Sequence, residues 1–255
     1  MAMTTHAVTL PKHPRLAHLS FFLRFGLVLS WGLFITALFT PVAVIFWGNT
    51  SLSWVYARAL SWVALKILGI RVEVEGREHL RTRPAIYMGN HQSNFDVIFH
   101  GVVFPRHTVV IGKRELKRVP FFGLFFAATG NIMIDRRDRS QAVAGLSDAV
   151  STLQQRNANI WVFPEGTRSK GQGLGELKKG GFHMAAAARA PIVPVILAPL
   201  EDVLDVGNRV IYGGTIKIRV LEPVSTKGVT DNDLEPLRSG VERLFRNTFA
   251  ELAKS

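Results

Sequence analysis

The sequence predicts an α/β protein: a mixed, largely parallel sheet flanked by helices, with an N-terminal hydrophobic two-helix motif that docks on a membrane. Three observations predict it. From Arg71 onward short β-rich runs alternate with helical ones, the pattern of a layered α/β sandwich. Before that point lies a long uncharged stretch, Phe25 to Trp47. The chain of 255 residues is long enough for one α/β domain plus an appendage, and such a domain needs no staples.

The apolar stretch has 23 residues and as a helix would reach roughly 35 Å, enough to cross a bilayer core of about 30 Å. Pro41 is expected to kink it, and Trp31 and Trp47 are residues of the kind that anchor at interfaces. It is too long for the apolar core of a signal peptide, and bulky Ile45-Phe46-Trp47 replaces the small residues of a cleavage site. Lys12, Arg15 and Arg24 precede it, so the N-terminus is expected on the cytoplasmic side. Placing the rest of the chain on that same face, the inner membrane in a Gram-negative bacterium, requires an even number of crossings or none. Gly48 to Ser51 reads as a turn. A second helix, roughly Leu52 to Gly69, is amphipathic, with Arg58, Ser61 and Lys66 as a loose polar stripe. The chain thus divides into a helical hairpin, residues 1–70, and an α/β domain, residues 71–255.

Within the second part the expected strands are Val72–Glu75, Ala85–Met88, Thr108–Ile111, Asn131–Ile134, Ile160–Phe163, Ile192–Leu197 and Thr215–Leu221. The expected helices are Asp96–Val103, Pro120–Ala128, Gln141–Gln155, Phe182–Ala190 and Asn232–Lys254. No internal repeat or low-complexity tract interrupts them.

Composition narrows the chemistry. There is no cysteine, which excludes disulfides, thiolate metal sites and a cysteine nucleophile. The net charge of +12 points to an anionic partner: nucleic acid, anionic lipid, a phosphorylated substrate or an acidic protein. Nucleic acid fits poorly, because the basic residues form no stripe interleaved with aromatics.

Three blocks close apolar strands, where ligands usually bind in an α/β sheet. The first is Asn90-His91-Gln92-Ser93-Asn94-Phe95-Asp96. On one continuous helix His91 and Asp96 would diverge by about 140°. They can meet only if His91 lies in the loop and Asp96 in the first helical turn. Asp96 would then fix the imidazole tautomer and leave the other ring nitrogen as a general base. The same residues also read as a capping box, Ser93-x-x-Asp96, with His91 an ordinary loop residue. The second block is Phe163-Pro164-Glu165-Gly166-Thr167-Arg168-Ser169. Gly166 permits a sharp turn, and Arg168 is suited to gripping a phosphate with two parallel hydrogen bonds. Lys170, Lys178 and Lys179 follow in a glycine-rich loop and add positive field; a plain basic surface loop is the alternative. The third is Gly130 to Arg136, where Asp135 and Arg136 read equally as a turn ion pair or as substrate ligands. Ile192 to Val195 carries no reactive side chain and reads as core. One histidine and one carboxylate are too few ligands for a metal, and no cofactor is expected. The Gly-x-Ser-x-Gly elbow of α/β-hydrolases is absent.

In this order, roughly from Val72 to Leu200, the blocks resemble the glycerolipid acyltransferase family. The His-x-x-x-x-Asp block and the Phe-Pro-Glu-Gly-Thr-Arg-Ser block, about 70 residues apart, carry the resemblance. Lys113-Arg114-Glu115-Leu116 with Pro120-Phe121-Phe122-Gly123 resembles the family segment between them. Leu177 to Gly180 is similar to a family stretch that normally starts with phenylalanine, so Leu177 departs from it. The resemblance implies transfer of a fatty acyl group from acyl-CoA or acyl-carrier protein to the sn-2 hydroxyl of lysophosphatidic acid, giving phosphatidic acid. His91 would be the base, oriented by Asp96, and no acyl-enzyme is required. Asp135, Arg136, Glu165 and Arg168, with Gly166, Thr167, Lys113 and Arg114, would hold the glycerol phosphate. Backbone N–H groups near His91 or Val193 would steady the oxyanion. Anionic membrane lipids are expected as partners. The alternatives are acylation of glycerol-3-phosphate or another lysolipid and, more distantly, a non-enzymatic basic membrane adaptor.

Overall fold

The structure, a computed structural model, describes residues 14–135 and 139–254. Lys12 and Arg136 lie outside the described residues. The first helix, α1, spans Pro14–Ile45 and begins well before the apolar stretch. Arg24 is accommodated because its guanidinium donates to the Leu68 carbonyl at 3.0 Å, capping the end of α2, Ser51–Leu68. It is thus a structural cap as well as one of the charges flanking the apolar segment. The helix continues through Pro41, where the Thr36 and Thr40 hydroxyls bond to carbonyls one turn back. Phe21, Val28 and Ile35 recur every seventh residue and form the buried seam of α1. Its other faces remain apolar and exposed, Leu19 at 66% and Ile45 at 75%.

Seven strands form one sheet: β1 (Ile70–Glu75), β2 (Ile86–Gly89), β3 (Thr108–Lys113), β4 (Ile132–Ile134), β5 (Asn159–Val162), β6 (Ile192–Leu197) and β9 (Gly214–Val220). Their order is β1-β9-β6-β2-β5-β3-β4, and only β6 against β9 pairs antiparallel. The central strands β2, β5 and β6 are buried at nearly every position, which is why they read as continuous apolar runs. The sheet strands and helices predicted from the sequence are all present, most within a residue or two of their expected ends. The exceptions are α1, which already includes Pro14, and α3, Asp96–His100, which gives way to turns before Val103. A short ribbon of β7 (Leu204–Asp205) with β8 (Val210–Ile211) was not anticipated, because two-residue strands carry no period to read.

The remaining helices are α4 (Phe122–Ala128), α5 (Arg139–Gln155), α6 (Gly180–Ala188) and α7 (Leu234–Leu252). Phe21, Val28, Ala64, Leu65 and Leu68 of the hairpin join the same core as the sheet. Ile35, Ala43 and Tyr56 pack with Phe125 and Ala128 of α4. The hairpin therefore lies along the α/β body.

Candidate active site

Strands β2, β5, β3 and β4 are neighbours and all parallel, so the segments at their C-terminal ends gather along one edge. This brings together sequence blocks that lie far apart in the chain. His91 follows β2, the Glu165 turn follows β5, Lys113 ends β3 and Asp135 follows β4.

His91 lies in the loop and Asp96 opens α3, the one arrangement in which they can meet. His91 Nδ1 is 2.5 Å from Asp96 Oδ2. The same oxygen accepts the N–H groups of Gln92 at 2.6 Å and Ser93 at 2.9 Å, so Asp96 shapes the loop as well as the imidazole. Asp96 is fully buried, whereas the His91 side chain keeps 20% exposure. Among the described residues His91 Nε2 has no hydrogen-bond partner. The ring lies nearly parallel to Phe163, centroids 4.2 Å apart at 16°, which fixes the plane in which Nε2 points.

Glu165 is buried, and both its oxygens take backbone N–H groups: His91 at 2.7 Å and Gly175 at 2.7 Å. It ties the histidine loop to the glycine-rich loop. Burial pushes its carboxyl above the ordinary value, and the two N–H donors pull it back. The two loops are also joined main chain to main chain, Ser169 N–H to the His91 carbonyl at 2.9 Å and Lys170 N–H to that of Gln92 at 3.1 Å. Gly166 has φ of 73°, a left-handed conformation that favours glycine at this turn.

Arg168 is half-buried, and among the described residues its guanidinium has no hydrogen-bond or ion-pair partner. Thr167 is exposed beside it, and Lys113 is exposed at the end of β3. Arg114 pairs with Asp135 at 3.6 Å, so these two share one cluster on the β3–β4 side. Arg136, expected beside Asp135, falls outside the described residues. Lys178 and Lys179 pair with Glu176 at 2.9 Å and Glu235 at 3.2 Å, which diminishes the field expected from them. The N–H groups of His91, Gln92 and Ser93 are committed to carboxylates, and Val193 sits inside the β2–β6 ladder. These particular N–H groups are thus already engaged.

Sequence reasoning missed a supporting layer. Asn90 is buried and exchanges two hydrogen bonds with the Leu197 main chain, at 2.9 and 2.8 Å. Gln92 binds the Ala198 carbonyl at 2.9 Å and the Leu200 N–H at 3.1 Å. His100 Nε2 lies 3.0 Å from the Asn90 carbonyl, in donating geometry, with its ring against Trp161 and Phe163. The available signal was polar residues flanking His91 just after a wholly apolar strand; their partners, more than 100 residues on, could not be read. Beside the site an apolar cavity of about 220 Å³ lies between α2, α3, α4, β3 and β5. Tyr56, Leu60, Phe104 and Phe125 line it, and Phe163 links it to His91.

Comparisons with known proteins show the family and the fold. A family model described as Acyltransferase matches residues 71–198. A mouse protein named 1-acyl-sn-glycerol-3-phosphate acyltransferase alpha is 34% identical over 235 residues, 91% of this chain and 82% of its own. A Haemophilus influenzae protein named 1-acyl-sn-glycerol-3-phosphate acyltransferase is 33% identical, covering 90% of this chain and 95% of its own. The crystal structure of the 1-acyl-sn-glycerophosphate (LPA) acyltransferase PlsC from Thermotoga maritima shares the fold, with a TM-score of 0.75 at 23% identity, over 94% of this chain and 98% of its own. This chain belongs to the acyltransferase family, as an enzyme of its 1-acyl-sn-glycerol-3-phosphate acyltransferase class.

Proposed function

We propose that the enzyme transfers a fatty acyl group from acyl-CoA or acyl-carrier protein to the sn-2 hydroxyl of lysophosphatidic acid, giving phosphatidic acid, with His91 as general base. The observation that carries this reading is the asymmetry of the imidazole. Nδ1 is held by Asp96, while Nε2 has no partner among the described residues and the side chain keeps 20% exposure. Nε2 takes the proton of the acceptor hydroxyl as its oxygen attacks the thioester carbon. Asp96 offsets the charge of the imidazolium. The carbon–sulfur bond then breaks, and the thiolate recovers the proton. A positioned base of this kind contributes about 10²–10⁴-fold.

Arg168 holds the acceptor phosphate, helped by Thr167, Lys113 and the Arg114–Asp135 pair. Glu165 acts through the main chain, setting the His91 loop against the turn that carries Arg168. The apolar cavity receives the acyl chain, each buried CH₂ contributing about 0.8 kcal/mol. The exposed apolar faces of α1 dock the enzyme on the cytoplasmic face of a membrane. Because the seam of α1 is packed on the α/β body, a hairpin dipping into one leaflet fits better than a span leaving it. Each Leu or Phe moved into lipid contributes about 1.5–3 kcal/mol.

Thiol release in detergent, measured with lysophosphatidic acid, glycerol-3-phosphate and an uncharged lysolipid, tests the acceptor. Turnover is expected with the first. Arg168→Ala is expected to raise KM for lysophosphatidic acid chiefly, by about tenfold or more. Preference for glycerol-3-phosphate or the uncharged lysolipid would move the enzyme to another acceptor class, and an effect of Arg168→Ala on kcat alone would remove its phosphate role.

A further inference from the structure

Helix α2 has two opposite faces. Tyr56, Ala57 and Leu60 wall the apolar cavity. About half a turn round, Trp54, Arg58, Trp62 and Leu65 face a second, more open groove of about 640 Å³. Ile70 and Val72 of β1 and Val102 complete it. Among the described residues no carboxylate lines this groove, and the reason is strand register. Ile70 and Val72 point into it, so Glu73 and Glu75 point to the other face, where Glu75 meets Arg219.

Cations gather on aromatic faces here. The Arg106 guanidinium lies 4.4 Å and that of Arg58 5.7 Å from the Trp54 ring centre, and Lys66 Nζ sits 3.7 Å over Trp62. Among the described residues none of the three makes an ion pair. Arg58 Nε is buried with no hydrogen-bond partner, and Arg77 adds its field. A cation over an indole is attracted by about 0.5–2 kcal/mol but keeps its full charge and its donors. An apolar trough rimmed by indoles and unneutralised guanidinium groups complements a molecule with an anionic head and an alkyl tail.

We propose that this groove binds an anionic glycerophospholipid of the membrane on which α1 docks, with the phosphate between Arg58 and Arg106 and the upper acyl chain along Leu65, Ile70 and Val72. Trp62, 62% exposed, marks the interface level. The proposal rests on the membrane-docking reading and is separate from the chemistry at His91, which lies beyond the other face of α2. It turns diffuse attraction of the +12 charge into one site with defined contacts.

The test is a titration of the full chain, in nonionic detergent, with monomeric dihexanoyl phosphatidylglycerol, dihexanoyl phosphatidylcholine and inorganic phosphate, followed by calorimetry. Saturable binding of phosphatidylglycerol is expected, about tenfold or more tighter than the other two. Arg106→Gln, at an exposed position, and Arg58→Gln are each expected to weaken it by about tenfold or more. Arg243→Gln with Lys254→Gln, an equal or larger loss of charge on exposed positions near the C-terminus, is expected to leave it unchanged. Circular dichroism checks each variant for folding, and Arg106→Gln keeps the test decisive if Arg58→Gln fails to fold. Equal weakening in the distant variant, equal affinity for phosphatidylcholine, or equal binding of phosphate alone would overturn the proposal. Sedimentation with neutral vesicles reads docking by α1 separately, so failure of one idea is distinguishable from failure of the other.

Discussion

The two nitrogens of His91 are made chemically different by one carboxylate oxygen. Asp96 Oδ2 accepts the Nδ1 contact and two backbone N–H groups, so ring and loop are set by one atom. The capping-box reading of Ser93 to Asp96 holds in part, because the Asp96 carboxylate accepts the Ser93 N–H while it also contacts the histidine ring. His100, behind the site, is a different kind of histidine. Burial chiefly lowers its pKa, with the charge of Asp96 pulling the other way. A histidine whose folded pKa is depressed contributes stability that is present above its unfolded pKa, about 6.5, and is lost as pH falls below it. The limiting slope is about 1.4 kcal/mol per pH unit. Denaturant unfolding at pH 7 and pH 5 is expected to show a smaller acid loss in His100→Leu than in the wild type. An equal loss in both would show that His100 does not contribute.

At the level of elements, strand order does what no single block can. The parallel run β2-β5-β3-β4 collects the loops on one edge, and Glu165 with the Ser169 and Lys170 N–H groups locks two of them together. Helix α3 is held against α2 by a close approach at Gly101, where a Cβ would meet the Ala57 carbonyl at 2.8 Å and also the Ser61 hydroxyl. Gly101→Ala is expected to lower stability by about 1–3 kcal/mol, read as a drop in the denaturant midpoint. A neutral effect would show that the contact is loose. Much of this level was legible in the sequence. Buried parallel strands read as apolar runs, and glycine and polar clusters marked their ends. The layer of Asn90 and Gln92 was not, because its partners at Leu197, Ala198 and Leu200 belong to a strand end that only the tertiary fold brings near. Nor was the capping role of Arg24, which reads in sequence as a flanking charge.

For the whole molecule, α1 exposes apolar side chains over most of its surface while α2 separates an apolar cavity from a cationic groove. The apolar stretch was plain in the sequence, but its extent was not: composition gave Phe25 to Trp47, whereas the helix also includes Pro14 to Arg24, with the Arg24 charge met by the Leu68 carbonyl of α2. The cavity could not be read at all, since its lining comes from five elements spread along the chain. Its size is expected to set donor length. Leu60→Trp fills part of it and is expected to shift preference toward shorter acyl thioesters, by roughly fourfold in kcat/KM for each methylene excluded. An unchanged chain-length profile would remove the cavity from the acyl path. The account as a whole turns on proton removal by one imidazole. Its most direct measurement is thiol release by folded His91→Ala, with folding verified by circular dichroism. Turnover is expected to fall by about 10²-fold or more. A variant that stays folded and keeps more than roughly a tenth of the wild-type rate would contradict the role of His91 as the base.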